Sequence, residues 1–354
     1  MPEDAASRRP ARQGDSVLVV SQAPTDRLYD VTAYALTAYA RARFRVRPLG
    51  EPFRMEPRTL IVSSHRSDDD VPVLVACIYP QAHGRWRRGP RLHFAVRDDL
   101  FLPGFFAGYP AGLPRPARRA LFPVGIGRIM EERLPCHPIR SANRMRLVEY
   151  LREFEPRSEL LRARHAQELW RVLTPEELDM PEAWSRRRAA ALDDFRELVG
   201  VVRGGDSLVI FPEGRPSPDG TVGPLMDGVG AIVRRARPAR VVAFAPAYDP
   251  LVAGRTRAYL AVSAPAEPDV DVLELLKRTT PLTVGDSVAA ALADHSDPER
   301  RLAEDVATAR AEGRPYEPEL DDPGVRRRRV EVAVRVARGR SLERLVRTYR
   351  SVRV

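Results

Sequence analysis

Short hydrophobic runs alternate with longer amphipathic segments along most of the chain. Apolar runs that end in polar turns predict buried strands at 59–64, 91–96, 206–211 and 241–246. Helical spacing of apolar residues predicts helices at 26–43 and 143–155, and 71–79 reads as a helix opened by Pro72, because proline is tolerated in a first turn. Strands that alternate with helices indicate an α/β fold, with a mixed or mostly parallel sheet flanked by helices.

The same pattern divides the chain into three regions. Residues 1–44 are expected to hold a disordered arginine-rich tail and an N-terminal helix, and 45–265 the α/β domain. A charged helical stretch covers about 156–200 and ends at Gly204 and Gly205. Beyond about 266 the strand pattern stops, so 266–354 is expected to be a helical, basic C-terminal region.

Composition adds a basic balance to this picture. The chain has 354 residues, 44% of them hydrophobic, and a formal net charge of +10. A positive balance suggests an anionic partner such as a membrane surface, a phosphorylated substrate or nucleic acid. Lys277 is the sole lysine, which fits a codon preference as well as site design, but arginine does bind phosphate and carboxylate groups through paired hydrogen bonds.

Cysteine content and hydropathy bear on location. Cys77 and Cys136 show neither CxxC nor metal-ligand spacing, which favours a reducing, cytoplasmic setting. The first 15 residues lack the apolar segment of a signal peptide, and no run of about 18 apolar residues predicts a transmembrane helix.

A histidine followed by three aspartates comes directly after the first predicted strand. On a regular helix Asp69 shares a face with His65, whereas Asp70 is rotated by about 140°. Pro72 disfavours helical geometry at the preceding residue, so 65–70 is expected to be a loop that folds Asp70 back onto His65. A histidine oriented by a carboxylate is a general base; the alternatives are a surface histidine beside solvated acids and, less favoured for want of a second histidine, a metal site.

A second polar turn follows the strand at 206–211. The segment FPEGRPSPDG places Glu213 and Arg215 at the end of that strand. On its own it is an ordinary turn. Because ligands of open α/β sheets bind at the carboxyl ends of the strands, the two turns are expected to meet at one sheet edge.

Together the two segments resemble the paired motifs of the glycerolipid acyltransferases, the family of 1-acylglycerol-3-phosphate acyltransferase. His65, Ser67 and Asp70 match the family's NHxSxxD block, with Ser64 in place of asparagine. The residues FPEG at 211–214 match its FPEGTRS block, but Arg215 comes one position early. Arg140 is the best match to the arginine of the second block, with Arg128 as its rival, and Pro246 matches the end of the fourth. The gap between the first and third blocks is longer than usual in the family, which suggests a helical insertion at about 150–203.

The resemblance implies transfer of a fatty acyl group from acyl-CoA or acyl-carrier protein to a hydroxyl of a lysophospholipid or glycerol phosphate. His65, held by Asp70, is the implied base, and the implied substrate-binding residues are Glu213, Gly214, Arg215, Arg140 and Ser67. No bound cofactor and no metal is expected, since the acyl thioester is a substrate. The alternatives are a non-glycerolipid acceptor such as a glycolipid, or a catalytically inactive lipid- or nucleic-acid-binding module.

Such a function implies peripheral attachment to the cytoplasmic side of a membrane, with a lipid acceptor and an anionic membrane surface as partners, and it argues against nucleic acid as a partner. The segment 100–122 mixes aromatic residues with arginines, as interfacial segments do, although a loop packed on the core is equally compatible. The helix at 26–43 is a second candidate, but its alanine-rich stripe favours packing in the core. The arginines at 326–329 are expected to form a solvated basic helical face.

Overall fold

The computed structural model describes residues 27–50, 53, 55–82, 92–103, 116, 120, 125, 127–163, 166–214, 216–217 and 222–339. The predicted tail at 1–15, most of the segment at 100–122 and Arg215 lie outside the described residues. The strands within them are β1 (Arg45–Gly50), β2 (Thr59–Ser63), β3 (Leu92–Arg97), β4 (Cys136–Ile139), β5 (Met145–Arg146), β6 (Val172–Leu173), β7 (Ser207–Ile210), β8 (Arg240–Asp249) and β9 (Arg257–Val262).

Twelve α-helices occur in the described part of the chain. They are α1 (Arg27–Arg43), α2 (Asp70–Ala82), α3 (Gly127–Glu132), α4 (Leu147–Phe154), α5 (Glu159–Ala163), α6 (Ala166–Leu169), α7 (Pro181–Arg203), α8 (Asp227–Ala236), α9 (Val272–Thr279), α10 (Val284–Ala293), α11 (Pro298–Ala311) and α12 (Pro323–Ala337). Short 3-10 helices cover Asp98–Phe101 and Pro318–Asp321.

Seven strands form one sheet in the order β1-β9-β8-β2-β7-β3-β4. All neighbours are parallel except β8 and β9, which pair antiparallel. The fold class is therefore confirmed: an α/β fold with a mostly parallel mixed sheet, flanking helices and a helical C-terminal region. The sequence pattern did not identify β1, β4 or β9. β1 is largely exposed, and β4 is short and contains a proline.

Side chains of the central strands alternate between two apolar layers, as the period of a strand requires. Ile61 of β2 lies in the layer with α1 and α2, whereas Leu60 and Val62 lie in the layer with α7, α8 and α9. Helix α2 is apolar nearly all round and buried, because it is covered by the sheet on one side and by α1 on another. Helix α1 buries Ala33, Thr37 and Ala40.

Helix α1 was predicted from a stripe of residues at helical spacing, Leu28, Val31, Ala35 and Tyr39, and this stripe is not the face that the helix buries. Val31 is 62% exposed and Tyr39 46% exposed, although both belong to that stripe. Small residues on the neighbouring face allow α1 to approach α2 closely instead. The amphipathic pattern therefore predicted the helix correctly but not which of its faces is buried.

The region expected to be an insertion has two structural parts. Residues 145–184 form a small apolar cluster of their own around Val148, Leu151 and Trp184. The second half of α7 instead packs on the sheet through Leu198, Val199 and Val202. The insertion itself stays a prediction.

The C-terminal region also has two parts. Helix α9 belongs to the layer that covers the sheet, through Val272 and Leu276. Helices α10, α11 and α12 form a separate cluster, which is joined to the sheet by Leu251 just after β8.

Candidate active site

Two loops meet at the edge of the sheet where β2 and β7 end. The strands are parallel neighbours, with Val62 opposite Ile210. His65 follows β2 by two residues, and the FPEG segment follows β7 directly. The main chain ties the loops together, since the Ser217 amide donates to the His65 carbonyl at 2.8 Å. The two segments that were predicted to meet therefore lie side by side.

His65 and Asp70 form a close pair within this edge. The Nδ1 atom of His65 lies 2.8 Å from Oδ2 of Asp70. A carboxylate only accepts hydrogen bonds, so the contact places the proton on Nδ1 and leaves the lone pair on Nε2. The ring packs on Phe211, with 4.8 Å between centroids. The side chain of Asp70 is 1% exposed and that of His65 16%.

The loop geometry explains why Asp70 and not Asp69 makes this bond. Asp70 is the first residue of α2, and the Arg66 and Ser67 amides donate to its Oδ2 at 2.6 and 2.9 Å. Asp69 points the other way, toward α1, where the Tyr39 hydroxyl donates to it at 2.8 Å and Arg43 at 3.2 Å. The loop expected from Pro72 is present, and one aspartate holds the histidine while the preceding one joins two helices.

Ser67 supports the turn from within. Its carbonyl accepts from the Asp70 amide at 3.1 Å, and its hydroxyl oxygen accepts from the Asp69 amide at 3.2 Å. Hydrogen bonds of this kind are typical of a serine that caps the N-terminus of a helix, here α2. A substrate-binding role for Ser67 stays a prediction.

Glu213 joins the two loops through both oxygens of its carboxylate. Oε1 accepts from the His65 amide at 2.9 Å, and Oε2 accepts from the Gly223 amide at 3.1 Å. Burial raises the pKa of Glu213, while the two amides act in the opposite direction. The geometry makes Glu213 a brace for the His65 loop, and its contact with a substrate stays a prediction.

Gly214 has a backbone that only glycine adopts easily. Its φ is +68°, and a Cβ at this position would lie 2.5 Å from the sulfur of Met226. The turn brings Met226 back over the loop, where its amide donates to the Pro212 carbonyl at 2.8 Å. Gly214 therefore shapes the turn. Arg215, the next predicted site residue, lies outside the described residues.

Arg140 lies at the same edge but at a distance from the dyad. It follows β4, which is three strands from β2 in the sheet order, or about 14 Å at the usual strand spacing. Its amide and Nη1 both donate to Asp194 of α7, at 2.9 and 2.5 Å. Burial raises the pKa of Asp194, against the effect of Arg140. A binding role for Arg140 stays a prediction, and the side chain of its rival, Arg128, is not described.

Tyr248 is a site residue that the sequence analysis missed. Its hydroxyl donates to Oδ1 of Asp70 at 2.7 Å, from the part of β8 that extends past the end of β2. Burial, followed by the charge of Asp70, raises the pKa of Tyr248 far above its usual value, so the hydroxyl stays protonated. A signal for it was available in the sequence. Pro246 matches the end of the fourth block of the family, and Tyr248, two residues later, has its side chain on the same face of a strand that ends at this edge.

The arrangement can perform general-base chemistry at Nε2 of His65. Asp70 fixes the ring and stabilises the imidazolium that forms when Nε2 takes a proton. Among the residues that the structure describes, no group of three histidine, cysteine, aspartate or glutamate side chains is placed to hold a metal ion. Within the same residues, none of the helices combines the length and hydrophobicity needed to cross a bilayer.

Comparison with known proteins adds similarity of structure alone. No protein-family model matches the chain, and no curated protein matches it. Among solved structures, it is similar to the crystal structure of the 1-acyl-sn-glycerophosphate (LPA) acyltransferase PlsC from Thermotoga maritima. The TM-score is 0.34 and the identity 12%, over 70% of this chain and 75% of that chain. Similarity at this level carries no argument about residues or reaction, and the chemistry of the site has to be inferred from its own geometry.

Proposed function

We propose that the protein is an acyltransferase that moves a fatty acyl group from acyl-CoA or acyl-carrier protein to a hydroxyl of a lysophospholipid or glycerol phosphate. The observation that carries the proposal is the pair of His65 and Asp70, with 2.8 Å between Nδ1 and Oδ2, at a sheet edge that it shares with the FPEG turn. A buried aspartate that aligns a partly exposed histidine is suited to activating a hydroxyl.

The reaction requires one base and no covalent enzyme intermediate. Nε2 of His65 removes the proton of the acceptor hydroxyl, whose oxygen attacks the thioester carbonyl and forms the new C–O bond. The C–S bond then breaks, and the leaving thiolate takes the proton from the imidazolium. Asp70 stabilises the positive ring between the two transfers.

Arginines supply the charge that an anionic acceptor requires. Arg66 lies between His65 and Ser67 in the loop, and its charge acts on the carboxylates of Glu213 and Asp286. Arginine binds phosphate through paired, charge-assisted hydrogen bonds. We therefore favour a phosphorylated lipid acceptor over an uncharged glycolipid.

The exposed side of α1 supports the proposed attachment to an anionic membrane surface on the cytoplasmic side. Val31 and Tyr34 are 62% and 65% exposed, and Arg41 and Arg43 lie at the end of the same helix. Exposed aromatic and apolar residues next to arginines are typical of segments that lie in the lipid headgroup region. The bond from Tyr39 to Asp69 ties the same helix to the loop that carries His65 and Asp70.

The proposal is tested by thioester consumption with a panel of hydroxyl acceptors, comparing the wild type with His65→Ala. Loss of a general base should lower kcat by about 10²- to 10⁴-fold. His295→Asn is the matched control, because His295 is exposed and follows α10, and its φ of 53° suits asparagine. Equal turnover by wild type and His65→Ala would overturn the mechanism. A wild type that consumes no thioester with any acceptor would favour a binding module instead.

A further inference from the structure

The two oxygens of the Asp70 carboxylate have different partners. Oδ2 faces the ring of His65 and the amides of Arg66 and Ser67. Oδ1 accepts the hydroxyl of Tyr248 at 2.7 Å. A carboxylate can rotate about its Cβ–Cγ bond, and a partner on each oxygen fixes that rotation.

Tyr248 is itself held firmly. It lies in β8, is half-buried, and packs its ring on Phe44 with 5.4 Å between centroids. The next residue, Asp249, is 0% exposed and accepts from the Leu251 amide at 2.9 Å and from the Gly285 amide at 3.2 Å. The strand end that carries Tyr248 is therefore pinned to the start of α10, in the helical C-terminal region.

The hydroxyl also sets how much negative charge Asp70 presents to His65. A donor on Oδ1 stabilises the carboxylate and withdraws part of its charge from Oδ2. Loss of that donor would free the carboxylate to rotate and would leave more charge facing the imidazolium. The first effect weakens alignment, and the second makes the imidazolium easier to form.

We propose that Tyr248 is a positioning residue of the His65–Asp70 pair, acting through Asp70 without touching the substrate. The inference rests on the proposed function for its kinetic consequences and on geometry alone for its effect on the pair. Because β8 is fastened to α10 through Asp249, the C-terminal helices hold this residue in place.

The kinetic test is Tyr248→Phe, with Tyr259→Phe as the matched control. Tyr259 is buried on the neighbouring strand β9, and its hydroxyl contacts Arg329 at 3.5 Å and not the dyad. Tyr248→Phe should lower kcat about tenfold with KM changed less than about twofold, since the substrate is not touched. The acid limb of the kcat/KM profile should move to higher pH, because more charge on Oδ2 favours the protonated ring.

Activity equal to that of Tyr259→Phe, with an unmoved acid limb, would overturn the proposal. If Tyr248 has a purely structural role, both variants should lose melting temperature to the same extent and the acid limb should stay in place. That result would also overturn the proposal.

A spectroscopic measurement separates this inference from the proposed function. The low-field proton resonance of a hydrogen-bonded Nδ1–H is assigned to His65 by its loss in His65→Ala. It should shift or broaden in Tyr248→Phe and stay unchanged in Tyr259→Phe. An unchanged resonance in Tyr248→Phe would overturn the positioning role even in an active enzyme. A shifted resonance in a protein without acyl transfer would uphold that role while the proposed function fails.

Discussion

At the scale of residues, neighbouring aspartates have different tasks because the backbone turns between them. Asp69 bonds Tyr39 of α1, and Asp70 bonds His65. Helical periodicity alone would have paired His65 with Asp69, and the proline at 72 was the signal that a loop intervenes. The partner of Oδ1, Tyr248, is 178 residues away in sequence, and its spacing from Pro246 indicates the sheet edge but not the contact with Asp70.

Gly214 allows a prediction at this scale. Gly214→Ala should destabilise the protein by about 1–2 kcal/mol, the cost of a left-handed backbone for a residue with a Cβ. The free energy of unfolding from urea denaturation measures this. Gly200→Ala is the control: it lies within α7, its Cβ would meet nothing within 4 Å, and it should stabilise by about 0.5–1 kcal/mol. Equal changes in the two variants would show that the turn does not require glycine.

At the scale of elements, buried central strands were predictable and peripheral ones were not. β2, β7 and β8 are continuous apolar runs, as strands covered on both faces must be. β1 is mostly exposed, lies at the sheet edge and contains Pro48, which suits an edge strand because proline cannot donate a hydrogen bond to a neighbour. Its assignment depends on pairing with β9 and not on its own composition.

Helix α10 begins with a buried acid, and this leads to a pH prediction. Asp286 caps the helix together with Thr283, and burial raises the pKa of Asp286 to about 7. The unfolded chain should release this proton near pH 4, at the usual pKa of aspartate, which is about 3.9. The folded state therefore holds an extra proton between about pH 4 and about 7. The contribution of Asp286 to the free energy of unfolding is fully present below this window and is lost as pH rises through it.

Asp286→Asn should flatten that part of the stability curve, measured by urea denaturation at a series of pH values. Asp322→Asn is the contrasting variant. Asp322 is an exposed cap of α12 whose pKa is lowered by the Val325 and Gly324 amides, so its contribution is lost as pH falls. An unchanged slope in Asp286→Asn would mean that Asp286 ionises freely in the folded protein.

At the scale of the whole molecule, the C-terminal helices are fastened to the sheet by a buried ion cluster. Glu317 accepts from Arg257 of β9 at 2.6 and 3.0 Å and pairs with Arg329 of α12 at 2.7 Å. The Glu317 side chain is 10% exposed and each arginine 17%. Such a cluster depends on every member, because removing one leaves buried charge without compensation.

Glu317→Gln should therefore destabilise the protein by about 3–5 kcal/mol. Glu304→Gln, which breaks the exposed pair with Arg300 in α11, should cost less than about 1 kcal/mol. Thermal unfolding followed by circular dichroism compares the two. If both variants melt alike, the C-terminal helices are held by apolar contacts and the ion cluster adds nothing.

The sequence by itself determined the α/β class, the central strands, most of the helices and the pairing of His65 with Asp70, because these follow from local periodicity and from one proline. Tertiary structure alone decided that Glu213 accepts from backbone amides, that Arg140 is paired with Asp194 of α7, and that Tyr248 donates to the second oxygen of Asp70. The contacts of Glu213 with His65, of Arg140 with Asp194 and of Tyr248 with Asp70 join residues 148, 54 and 178 positions apart. Such residues meet only because of the order of the strands in the sheet, which hydrophobic patterning does not encode.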